Sequence, residues 1–124
     1  MDERRKHKRF QVKNGAFAVL SAISWPHSTQ KVGRITDISL GGLAFGYIAS
    51  EEPSNISVQL SIFLADKRFD LRNIPFETIW DVETKEDSFS SITVKRTGVQ
   101  FGGLTSKEIS QLEYFIQNHT MTEL

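Results

Sequence analysis

The 124-residue chain contains no cysteine and only three prolines. Without cysteine there are no disulfides and no thiolate metal ligands, so the fold must rest on its apolar core. Long hydrophobic runs are also missing; none approaches the ~20 residues that a membrane-crossing helix requires. The first residues are charged at once (Asp2, Glu3, Arg4, Arg5) and do not lead into the apolar stretch of a secretory signal. These absences predict a soluble cytoplasmic protein with no membrane insertion. Charge of one sign is not in excess either: 15 Lys and Arg balance 15 Asp and Glu, for a net charge of +0. A general binder of nucleic acid carries a surplus of cations, so neutrality argues against that class. The chain shows no internal repeat and no low-complexity linker, and its length suits one domain.

What is present is unevenly placed. Five of the 15 basic residues fall between Arg4 and Arg9. A local positive site on a neutral body suits a small anionic ligand better than a long polyanion. Aliphatic and aromatic residues make up most of the 39% hydrophobic fraction, with 9 Phe among them. They fall in short runs that read as strands: Ala16 to Ile23, Val32 to Ile38, Leu43 to Ile48, Ile56 to Leu64, Phe69 to Trp80 and Ile92 to Phe101. Pro75 marks an edge or bulge within the fifth run, and Gly98 a bend in the last. Several short strands with turn signals between them predict a β-barrel or sandwich, a barrel being the simpler because it hides its strand edges. The tail changes period. Thr105 and Glu108 have capping-box spacing, and Ile109, Leu112, Phe115 and Ile116 recur at helical spacing. This predicts an amphipathic helix over about Ser106 to Asn118 that closes one end of the sheet.

Two motifs carry chemistry. The basic arm contains R-x-x-x-R at Arg5 and Arg9, with Arg4 directly before it. An arginine fork binds phosphate or the O6/N7 edge of guanine with two parallel bonds and stacks on π faces. Residues four apart share one side of a helical turn and one face of an extended ribbon, so the two forks converge in either conformation. Lys6, His7 and Lys8 then point elsewhere. The second motif is the turn D-x-S-x-x-G at Asp37, Ser39 and Gly42, with Gly41 beside it. The Asp37 carboxylate can accept both N1–H and N2–H₂ of a guanine. Ser39 can donate to a phosphate oxygen. Gly41 and Gly42 permit positive φ and close approach of backbone to a ligand, and successive N–H groups there can form an anion nest. An ordinary Asx turn would use the same residues for geometry alone. Trp25 and Trp80 read as core or rim aromatics, Arg96 as a strand surface charge with a weaker claim to the ligand rim, and the isolated His27 and His119 do not suggest a metal site.

Arm and turn together resemble the PilZ domain, a bacterial receptor for the second messenger cyclic di-GMP. Arg96-Thr97-Gly98-Val99-Gln100-Phe101 is similar to that family's late Gly-Val-x-Phe strand, and the terminal helix also fits. The resemblance runs from Arg4 to about Ile116. It implies an all-β fold with a C-terminal helix, a six-stranded antiparallel barrel over residues 11–120, preceded by a flexible arm over residues 1–10. It further implies that cyclic di-GMP binds on the barrel surface: Arg5 and Arg9 would grip guanine and phosphate, and Asp37, Ser39, Gly41 and Gly42 would hold the ligand from the barrel side. In this family a residue at the position of Arg4 can favour two intercalated ligands per chain, which makes two molecules the expectation here. The implied role is a receptor without catalysis and without a cofactor, whose arm clamps the ligand and alters the surface presented to a downstream partner protein. The alternative is a PilZ-like adaptor that acts by protein contact without nucleotide. An enzyme is not expected, because no nucleophile–base pair or metal cluster is visible in the sequence.

Overall fold

Apolar–polar alternation dominates the middle of the chain, and in the computed structural model it becomes antiparallel sheet. The structure describes residues 7–24, 27–48, 57–66, 69–84 and 94–124. In chain order these form β1 (Phe10–Val12), β2 (Ala16–Ser24), β3 (His27–Ile38), β4 (Gly42–Ile48), β5 (Ser57–Leu64), β6 (Asp70–Ile74), β7 (Phe76–Thr84), β8 (Val94–Phe101), α1 (Ser106–His119) and β9 (Thr120–Glu123). The main sheet runs β6-β5-β2-β3-β4-β8-β7, and β1 joins β3 to β9 off this path. Its two end strands are consecutive in sequence and meet at Pro75, so the sheet curls back on itself. The all-β architecture with a terminal helix is as the sequence implied. The strand count is higher than six among the described residues. Pro75, which has no N–H for a ladder, splits the expected Phe69–Trp80 strand into β6 and β7, and β1 and β9 are short additions at the two chain ends.

The curl depends on β3, the longest strand at 12 residues. Its first part pairs with β2, as at Phe17↔Arg34, and its last part pairs with β4, as at Ile35↔Phe45. Gly33 lies where the strand passes between these partners. A Cβ at Gly33 would collide with the backbone carbonyl of Gly46, so only glycine allows the crossing. Inside the curl lies one apolar cluster that includes Ala18, Leu20, Ile35, Ile38, Phe45, Leu60, Ile62 and Ile74.

The helix begins where the sequence predicted. Thr105 Oγ1 accepts from the Glu108 amide at 3.1 Å, and Glu108 Oε1 accepts from the Thr105 amide at 2.9 Å. This reciprocal pair satisfies two otherwise orphaned donors. Leu112 and Phe115 are fully buried, and Phe115 packs on Phe69 with ring centroids 5.2 Å apart. Burial of side chains this size contributes roughly 1.5–3 kcal/mol each, which is what seats the helix on the barrel end. Ile109, expected on the same stripe, is 39% exposed. After the helix the chain turns extended as β9 and pairs with β1, with Lys13 donating to the His119 carbonyl and Leu124 to the Arg9 carbonyl.

Candidate functional site

The site begins with the register of β1. Phe10 lies opposite Ile38 and Gln11 opposite Asp37, antiparallel. His7, Lys8 and Arg9 therefore run back along the turn that follows β3. Strand alternation then sorts them. Arg9 and His7 both line an open groove beside that turn, whereas Lys8 between them reaches Glu123 at 3.8 Å on the other side. His7 lies so close over the turn that a Cβ on Gly41 would be 2.6 Å from its ring. His7 is thus a groove residue, contrary to the expectation that it points elsewhere. Arg4 and Arg5 lie outside the described residues.

The turn is held by its own hydrogen bonds. The Ser39 amide donates to the Gly42 carbonyl at 2.8 Å, and Ser39 Oγ accepts from the Gly41 amide at 3.0 Å. The Ser39 hydroxyl faces the Gly42 carbonyl at 3.4 Å. The side chain is buried, so its first task is to fix the turn, and the Ser39 and Gly41 amides are already engaged. The glycines serve closeness rather than left-handed backbone. Among the described residues only Gly15 and Asn73 have positive φ, which corrects the expectation for Gly41 and Gly42. At Gly42 a Cβ would run into the Val99 carbonyl of the neighbouring strand, so glycine lets β4 and β8 keep their pairing beside the turn.

The floor and far wall come from β8 and β7. The groove encloses about 740 Å³, and besides His7 and Arg9 it is lined by Asp37, Ser39, Gly41 and Gly42 and by Trp80, Arg96, Gly98 and Gln100. Trp80 lies opposite Gly98 in the ladder, and its indole occupies the space a Cβ on Gly98 would need. The ladder irregularity lies across from that glycine, between Thr78 and Trp80. The indole remains 38% exposed, so it presents an aromatic face at the rim. The Arg96 guanidinium is 5.9 Å from the centre of that ring. Arg96 Nη2 donates to Thr36 Oγ1 at 3.1 Å and lies 3.8 Å from Asp37 Oδ2. Thr36 Oγ1 in turn sits 3.3 Å from the same carboxylate oxygen. A carboxylate acceptor, a guanidinium donor, an aromatic face and an arm arginine therefore converge on one open surface. That set can hold a planar, polar, anionic ligand.

A model of the PilZ domain matches residues 3–118. This chain belongs to the PilZ domain family. Among solved structures it is similar to "PilZ domain with c-di-GMP of YcgR from Escherichia coli", at 18% identity and a TM-score of 0.69, covering 94% of this chain and 92% of that one. It is also similar to "Crystal structure of YcgR in complex with c-di-GMP from Escherichia coli", at 18% identity and a TM-score of 0.62, where it covers 92% of this chain and 45% of that longer chain. No curated protein matches in sequence. The PilZ fold brings Arg9, Asp37, Ser39, Gly41 and Gly42 to one groove. Trp80 and Arg96 belong to it as fully as the motif residues do. Their one sequence signal was Gly98, a glycine inside a strand, which marks a place where another group comes close.

Proposed function

We propose that this groove is a receptor site for cyclic di-GMP, held between the N-terminal arm and the barrel. The observation that supports the reading best is the convergence of Arg9 from the arm with Asp37 and the Ser39–Gly42 turn on one open surface. Arg9 and Arg5 supply forks for phosphate and for the O6/N7 edge of guanine; Arg5 has the same parity along the chain as His7 and Arg9. Asp37 accepts from the N1 and N2 donors of a guanine. Ser39, Gly41 and Gly42 hold the turn close against the phosphodiester, and Trp80 offers its ring to a base. Arg4 supplies a third guanidinium that neutralises and stacks on a second, intercalated ligand. Such a ligand is bound and released without turnover.

The signal is closure of the arm (residues 1–10) over the barrel (residues 11–120). A ligand that contacts both favours the closed arrangement by its differential affinity for it. The altered surface is then what a downstream protein reads. Isothermal titration with cyclic di-GMP tests this reading. Bidentate contacts of this kind contribute roughly 1–3 kcal/mol each, so Arg5→Ala and Arg9→Ala should each bind about tenfold more weakly or worse. Wild-type affinity in both variants would remove the arm from the site.

A further inference from the structure

We propose that Arg96 is the specificity residue of the groove, reading O6 of a guanine whose N1–H and N2–H₂ are read by Asp37. The inference rests on the cyclic di-GMP reading above. Arg96 projects from β8, which is paired on both sides by β4 and β7, and not from the arm. Its place is fixed by Thr36, which accepts from Nη2 at 3.1 Å. Nε is buried without a hydrogen-bond partner. The guanidinium is therefore only partly committed, while its side chain stays 41% exposed toward the groove.

The neighbouring acceptor gives the guanidinium its meaning. Asp37 Oδ2 is 3.8 Å from Nη2, so the groove wall presents a donor and an acceptor side by side at the spacing of two adjacent hydrogen bonds. The edge of guanine is complementary to that pair: O6 accepts, and N1–H and N2–H₂ next to it donate. Adenine reverses the order, with a donating amino group where guanine has O6 and an accepting N1 where guanine has N–H. Against adenine the guanidinium would meet an N–H and the carboxylate a lone pair. Two mismatched contacts discriminate more strongly than one missing contact, because each leaves a polar group unpaired. A base laid on Trp80, whose ring centre is 5.9 Å from the guanidinium, has this pair within reach of its edge. Arg96 and Asp37 are held by sheet pairing, and discrimination requires fixed geometry.

The test is isothermal titration of the full chain and of Arg96→Met with three ligands: cyclic di-GMP, cyclic di-AMP, and the cyclic dinucleotide of 2-aminopurine, which keeps the 2-amino group and lacks O6 and N1–H. Wild-type protein should favour cyclic di-GMP over both others. Arg96→Met should bind cyclic di-GMP roughly tenfold more weakly, and its preference over the 2-aminopurine ligand should narrow by about the same factor. Thr36→Val, which removes the hydroxyl that anchors the guanidinium and also contacts Asp37 Oδ2 and the Ala44 carbonyl, should shift both values in the same direction by less, and it decides the matter if Arg96→Met does not fold. A variant that loses equal factors toward guanine and 2-aminopurine ligands would assign Arg96 to phosphate or to scaffold and overturn the inference. Undiminished binding and selectivity in both variants would overturn it too. Wild-type protein that binds no cyclic dinucleotide is a separate outcome, and it overturns the receptor reading along with the inference.

Discussion

Replacing Gly98 by alanine should damage ligand binding more than it damages the fold. The added Cβ would collide with Cε2 and Nε1 of the Trp80 indole. That obstacle is a rim side chain, 38% exposed, and it can rotate outward without moving either strand. The folding cost should then fall at the low end for overpacking, about 1 kcal/mol, which for a chain of this size lowers Tm by about 3–6 °C. Binding should suffer differently. A displaced indole no longer lies over β8 as a platform, and base–aromatic stacking contributes roughly 1–3 kcal/mol. The expected loss of affinity for cyclic di-GMP is therefore about 5- to 150-fold. Gly33→Ala provides the contrast. There the Cβ meets the carbonyl of Gly46, and backbone within a ladder cannot step aside, so destabilisation should exceed about 3 kcal/mol. Urea denaturation of both variants, with calorimetric titration of Gly98→Ala, makes the comparison. Gly98→Ala that binds like wild type, or that unfolds as severely as Gly33→Ala, would refute the reasoning.

Other outcomes are equally definite. Thr105→Ala should cost about 1 kcal/mol in urea denaturation, because it removes half of the reciprocal cap on α1. Tyr47 donates to Asp81 at 2.9 Å, and burial, aided by that carboxylate, holds its phenol well above its ordinary value. The unfolded chain surrenders this proton near pH 10 and the folded chain keeps it, so the contribution of Tyr47 to stability should be fully present below that pH and be lost as pH rises above it. Tyr47→Phe should show a shallower fall over the same alkaline range, measured by denaturation at successive pH values. Calorimetry should give two cyclic di-GMP per chain and a lower stoichiometry in Arg4→Ala; a value of one in both proteins would contradict the role given to Arg4.

Much of this was legible in the sequence because the relevant interactions are local. The cap at Thr105 and Glu108, the break at Pro75 and the turn at Asp37–Gly42 are each settled within a few residues. The remainder depends on register. Arg96 and Trp80 reach Asp37 only because β3 pairs with β4, β4 with β8 and β8 with β7, each in one particular alignment. Trp80 stands in no motif and Arg96 only precedes the Gly98-Val99-Gln100-Phe101 stretch, and an arginine or tryptophan on a strand is most often an ordinary surface or rim residue. Strand β9 was also invisible, since Thr120–Glu123 has no apolar alternation and extends only because β1 offers a partner. Gly42 was read correctly as necessary but for the wrong geometry. The need is contact with Val99, a residue far away in sequence, and not a left-handed turn. His7 illustrates the same point, because the direction of an arm residue was fixed by the pairing of Phe10 with Ile38.

Amide and indole chemical shifts followed by nuclear magnetic resonance during titration with cyclic di-GMP locate the ligand most directly. Perturbations should concentrate on His7 to Arg9, on Asp37 to Gly42, on the Trp80 indole N–H and on Gly98. The amides of β2, β5 and α1 should hardly move. Saturating shifts with this pattern are the predicted result. A folded protein whose spectrum is unchanged by the ligand, or whose shifts cluster away from the groove, would contradict the assignment.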